Sequence, residues 1–180
     1  YFVDTQSKEK LLLELLQSEN LTSVLIFTRT KHKANKVSAF LCEHGISSDA
    51  IHGNKSQNAR TKAISDFKSG RTKVLVATDI AARGIDIENI SHVINFELPN
   101  EPENYVHRIG RTARAGAEGC AFSFCAADER NYLRDIEKLT NKQIEVKEHK
   151  YHSNAAQNAV GKDAKPAPKT NRRFSKSSRP

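Results

Sequence analysis

Apolar residues repeat along this chain with two different periods. Between residues 8 and 18 the leucines at 11, 12, 13, 15 and 16 gather on one broad face at helical spacing. Residues 23–28, SVLIFT, instead form a short unbroken apolar run, the pattern of a strand buried on both faces of a parallel sheet. Thr30 then stands as an N-cap, Val37, Phe40 and Leu41 face inward at helical spacing, and Gly45 is a stop after His44. A short strand follows over 48–51, and Ser56 caps a helix running to Ser69 before Gly70. Three further strands are predicted over 72–77, 91–96 and 119–125, with Pro102 opening a helix toward Ile109. A helix over 128–139 and a last short strand over 144–146 complete the series. Strand and helix alternate with short connections and no internal repeat. That predicts an α/β domain in three layers, a mostly parallel sheet with helices on both faces.

Composition changes this picture at one end. The chain has 180 residues and a net charge of +8, but eight of its 29 Lys and Arg fall in residues 150–180 against a single acid, Asp163. The first 149 residues are nearly neutral, and Phe174 is the one large aromatic after Tyr151. The expectation is a folded domain over 1–148 and a basic disordered tail over 149–180, too poor in apolar surface to offset the entropy of ordering. Such a tail reads as an electrostatic tether for a polyanion, with a solubilising linker as the plainer alternative. Three cysteines without a CxxC spacing argue for reduced thiols and a cytoplasmic setting, and against a disulfide frame or a metal site. No apolar run reaches membrane-spanning length. The start at Tyr1, in a chain without Met, reads as an excised fragment.

Two stretches carry candidate chemistry. In YVHRIGRTARAGAEG, residues 105–119, Arg108, Arg111 and Arg114 fall three apart around Gly110 and Gly116. Guanidinium stays ionised and forks onto phosphate oxygens, so this spacing suits a surface that meets a triphosphate. A solvated basic helix end is the bland alternative. In VLVATDIAARGIDIEN, residues 74–89, an apolar strand ends at Thr78 and Asp79. The chain then turns through Ala81, Ala82, Arg83 and Gly84 to a second acid, Asp86. In an open parallel sheet ligands bind beyond the carboxyl ends of strands, which is where Thr78 to Asp86 should lie. Capping and turn roles are equally ordinary for each of these residues taken singly.

Together with VLIFTRT (residues 24–30) and HGNKSQNAR (residues 52–60), these stretches resemble motifs IV, QxxR, V and VI of DEAD-box RNA helicases, in that order along the chain and at family-like distances. The resemblance covers roughly residues 1–148, the whole of a second RecA-like domain. The wording HRIGRTARAGAEG and YLRDIEKLT is most similar to the bacterial RhlE-type subgroup. Ala113 stands where many relatives have Gly, and Asn54 where the family has Asp.

The resemblance implies roles residue by residue. Arg111 and Arg114 would be catalytic arginine fingers that also bind ATP, with Asp86 on the ribose hydroxyl and Gly84 beside it. His107 and Arg83 would make interdomain contacts. Arg29, Thr30, Gly53, Gln57, Arg60, Thr78 and Asp79 would bind RNA along its backbone, without base information. The scarcity of exposed aromatics near these motifs agrees with a sequence-independent reader of single strands.

Two absences limit what the fragment can do. It has no GxxxxGK[ST] phosphate loop and no DEAD tetrapeptide, so ATP with its Mg²⁺ would depend on a first RecA-like domain in the same parent chain. The fragment alone is therefore expected to be inactive. RNA is the expected partner, with RNA-processing or ribosome-assembly factors behind it. A non-catalytic RNA-binding module and a DNA-directed superfamily 2 helicase are the alternatives.

Overall fold

The apolar runs become the strands of one parallel sheet: β1 (Val24–Thr28), β2 (Ser48–Ile51), β3 (Val74–Thr78), β4 (His92–Asn95) and β5 (Cys120–Ser123). The computed structural model describes residues 1–18, 21–85, 87, 90–112 and 119–166. Strand order is β2-β3-β1-β4-β5, and every pair is parallel. Registers such as Thr28 beside Thr78 and Phe27 beside Asn95 bring the carboxyl ends of the central strands to one edge.

Alternate residues of each strand feed opposite layers. Val24, Ile26, Val74 and Val76 pack under α1 (Lys8–Ser18) and α2 (Lys31–Glu43), which bury Leu12 and Val37 completely. Leu25, Phe27, Leu75 and Ala77 face α3 (Gln57–Lys68) and the short α4 (Asp79–Arg83). This is the three-layer architecture expected from the pattern, and it agrees with the RecA-like fold that the resemblance implies. Two of the expected caps are present, since Thr30 accepts from the Lys33 amide at 3.2 Å and Ser56 from the Ala59 amide at 3.2 Å. A third cluster, including Phe2, Tyr105, Leu133 and Ile136, joins α5 (Pro102–Ile109) to α6 (Arg130–Thr140).

Two expectations need correction. Residues 144–146 form no strand, because the Ile144 amide donates to Glu137 at 3.1 Å while its side chain packs beside the Tyr105 cluster. Residues 1–3 take that flank, with Val3 N donating to the Cys125 carbonyl at 3.1 Å and Cys125 N to the Tyr1 carbonyl at 2.9 Å.

Residues 149–166, expected to belong to the tail, are instead packed on the domain. This stretch carries α7 (Asn154–Asn158) and buries Ser153, Ala156, Ala159 and Ala164. They strap the start of the chain: Ser153 N donates to the Phe2 carbonyl at 3.0 Å, and the Ser153 hydroxyl to Asp4 at 2.5 Å. On the other side, Arg130 and Arg134 donate to the carbonyls of Gln157 and Ala159 at 2.9 and 3.2 Å. Alanines at 0 to 6 % exposure add little to a hydrophobicity count, yet they let the strap pack close, with specificity from backbone bonds. Residues 167–180 lie outside the described residues.

Candidate functional site

The carboxyl edge collects most of the residues singled out by sequence. Arg29 and Thr30 follow β1, Gly53 follows β2, Gln57 and Arg60 lie on the first turn of α3, and Thr78 and Asp79 join β3 to α4. The starts of α2 and α3 open here, so amide groups and helix dipoles favour an anion along this edge. A Cβ at Gly53 would meet nothing within 4 Å, so this backbone is open to close approach.

Charge points the same way. His52 is buried beside Asn35, its Nε2 2.9 Å from Asn35 Oδ1 and its Nδ1 without a partner. Burial pushes its pKa below the usual histidine range, and Lys55, Lys31 and His32 push it further in the same direction. Lys55, Lys31 and His32 thus stand close enough to His52 to give this rim positive charge. Lys31, His32 and Lys55 were not singled out from the sequence, where scattered exposed charges carry no signal of the surface they share.

Arg29 is more constrained than its expected role implies. Its backbone amide donates to Glu97 at 2.9 Å, and its guanidinium pairs with Glu97 at 3.6 Å and Glu129 at 3.3 Å. Its guanidinium also lies 5.5 Å from the Tyr132 ring centre. Glu129 is itself buried, accepting from Lys8 at 2.5 Å and from the amides of Leu98 and Ala126 at 3.1 and 3.0 Å. Lys8 also donates to the Phe96 carbonyl at 2.8 Å. A buried pair of this kind persists when further hydrogen bonds satisfy both ions, as they do here.

The second face of the site lies between α4 and α5. The even spacing of Arg108 and Arg111 suggests one exposed row, but their environments differ. Arg108 is 1 % exposed and clamps Asp79 with two bonds, Nε to Oδ1 at 2.6 Å and Nη2 to Oδ2 at 2.7 Å. Asp79, expected among the RNA contacts, thus has both carboxylate oxygens bonded to protein.

Arg111 lies half-buried across the turn after α4, donating to the carbonyls of Ile85 at 3.1 Å and Ala82 at 3.4 Å. Arg83 reaches Asn104 on α5, and His107 is exposed beside them. Arg83, His107, Arg108, Arg111 and Asn104 line one shallow pocket with Asp79 and Phe27. Gly84 caps α4 with open space around it. Asp86, Ala113 and Arg114 lie outside the described residues.

A five-stranded parallel sheet with helix starts, basic side chains and an arginine-lined pocket along its carboxyl edge defines a RecA-like domain that meets ligands at its strand ends. Residues 7–116 match the family described as "Helicase conserved C-terminal domain". The chain belongs to that family, as the C-terminal RecA-like domain of a DEAD-box helicase. It is 48% identical over 143 residues to the ATP-dependent RNA helicase DbpA of Bacillus subtilis, covering 79% of this chain and 30% of that protein. It is similar in structure to the E. coli DEAD-box protein SrmB bound to RraA, with a TM-score of 0.73 and 38% identity over 80% of this chain and 85% of that one. S. cerevisiae Dbp5 bound to RNA and ADP BeF3 matches with a TM-score of 0.73 and 35% identity over 80% of this chain and 40% of that one. The chain spans about a fifth to a third of the length of the curated relatives it matches. Among the described residues no helix is long and apolar enough to cross a membrane.

Proposed function

We propose that this chain is the second RecA-like domain of an ATP-dependent RNA helicase, one half of a cleft that closes on ATP and RNA together. The observation that carries this reading is the division of the carboxyl edge. A positive rim around His52 lies beside the starts of α2 and α3, and an arginine-lined pocket lies between α4 and α5. RNA would run along the first through Arg29, Thr30, Gly53, Gln57, Arg60 and Thr78, using phosphate contacts that carry no sequence information. ATP would meet the second, with Arg111 and Arg114 turned to the γ-phosphate, Asp86 on the ribose, Gly84 beside it, and His107 and Arg83 against the first domain.

The first domain would hold the phosphates and Mg²⁺. Closure would bring Arg111 from the carbonyls of Ala82 and Ile85 to charge that builds up during phosphoryl transfer. Arginines in that position elsewhere contribute about 10³ to 10⁵ in rate. A cytoplasmic bacterial protein of the RhlE type is our reading of the motif wording, although relatives of comparable similarity come from Sus scrofa as well as Bacillus subtilis. RNA-processing or ribosome-assembly factors are the partners we would look for, and residues 167–180 would tether RNA electrostatically.

RNA-stimulated ATP turnover and strand separation by the parent chain test the proposal. Parent protein that binds RNA yet neither hydrolyses ATP nor opens a duplex would favour a binding module. Activity on DNA duplexes alone would favour the DNA-directed alternative.

A further inference from the structure

Arg108 reaches three neighbouring strand ends with one side chain. Its Nε and Nη2 grip Asp79 beyond β3, and its Nη1 donates to Asn95 Oδ1 at the end of β4 at 3.0 Å and to the Glu97 carbonyl at 2.7 Å. Its guanidinium also lies 4.9 Å from the ring centre of Phe27 in β1. Four bonds hold a planar group whose geometry lysine cannot reproduce. Asp79 is in turn the first residue of α4, where a carboxylate also suits the positive helix start.

The consequence reaches past the pair itself. Two further contacts lie alongside, Arg83 to Asn104 between the two helices, and Arg111, just beyond α5, to the carbonyls of Ala82 and Ile85. Both depend on the separation that Asp79 and Arg108 set, because Arg111 follows Arg108 by three residues and Ala82 follows Asp79 by three. We infer that Asp79 and Arg108 form a positioning pair that locks α4 and α5 into one body and fixes where Arg111 stands, and that Asp79 does not act as an RNA contact. The inference rests on the helicase reading only for its activity readout.

The test uses the full parent chain with Asp79→Asn, Arg108→Lys and Asp79→Glu. Hydrogen exchange is measured first, since it needs no activity. Amides of residues 82–85 and 110–112 should exchange at least about tenfold faster in Asp79→Asn and Arg108→Lys, with protection of β1 and β3 retained. Unchanged exchange there overturns the inference whatever the activity. Where Asp79→Asn fails to fold, Arg108→Lys carries the comparison, because it keeps the charge and loses only the fork.

In ATP turnover, both variants should lose kcat by about ten- to a hundredfold, while KM for ATP and Kd for a single-stranded RNA move less than about threefold. Asp79→Glu should recover part of kcat, since it restores a carboxylate one methylene further out. A selective loss of RNA affinity with kcat intact would return Asp79 to the RNA surface and overturn the inference. A wild-type parent without turnover defeats the helicase reading instead and leaves the exchange result to decide the pair.

Discussion

Cys125 shows how far a single position can be set by its surroundings. Burial, with the charge of Glu129 behind it, pushes this thiol from 9.0 up to about 12, while Cys42 and Cys120 are exposed. In the native protein at pH 8, a thiol reagent should therefore modify two cysteines quickly and the third only on unfolding. Three fast thiols would contradict the burial. The sign of the pH dependence follows: between pH 9 and 12 the unfolded chain gives up a proton that the folded chain keeps. Stability is fully present below 9 and falls as pH rises, and the fall should be shallower in Cys125→Ala when denaturant midpoints are measured across that range. Residue-scale environments of this kind are poorly legible in sequence. Nothing in the spacing of Arg108 and Arg111 separates the buried clamp from the half-buried neighbour. The distinction lies in Asp79, 29 positions upstream, and exists only once β3 and α5 are adjacent.

Elements were more legible than their partners. Continuous apolar runs marked the strands because a parallel strand covered by helices on both faces has no polar side to show. Thr30 and Ser56 marked the helix starts they cap, and Ser56→Ala should cost about 1 kcal/mol in denaturant unfolding, the ordinary worth of an N-cap. Misreadings arose where a local pattern lost to a tertiary contact. The alternation of Ile144, Glu145 and Val146 signals a strand, but Glu137 takes the Ile144 amide and residues 1–3 occupy the flank of the sheet. The strap over 149–166 was hidden because its buried side chains are small. Truncation after Glu148 should uncover Phe2, Leu133 and Ile136 and remove the bonds to the Phe2 carbonyl and Asp4. The expected loss is about 2 kcal/mol, roughly 4–8 °C in Tm for a domain of this size. Truncation after Pro166 should leave Tm unchanged. Equal Tm values for the two truncations would mean that the strap contributes nothing to stability.

Across the whole molecule, the candidate site was legible as a set of positions and not as an arrangement. Motif residues 24–30, 52–60 and 74–85 do converge on one edge, because consecutive parallel strands must end together. The chain lacks a phosphate loop, so residues 1–180 alone should not hydrolyse ATP above background even with saturating RNA, as a phosphate-release assay can check. Removing residues 167–180 from the parent should weaken RNA binding without sequence preference and flatten its salt response. About three lost phosphate contacts, each with a slope near −0.7, amount to roughly two units of log K against log salt. An unchanged salt slope would make the segment a spacer. The central claim is that this domain completes the ATP site by supplying Arg111. Single-turnover hydrolysis, with the parent in excess over ATP and saturated with RNA, compares wild type with Arg111→Ala most directly. A fall of about 10³ or more in rate, with RNA affinity retained, is the predicted result. A rate within about threefold of wild type, less than 1 kcal/mol, would contradict the account and leave Arg111 a structural contact of the turn after α4.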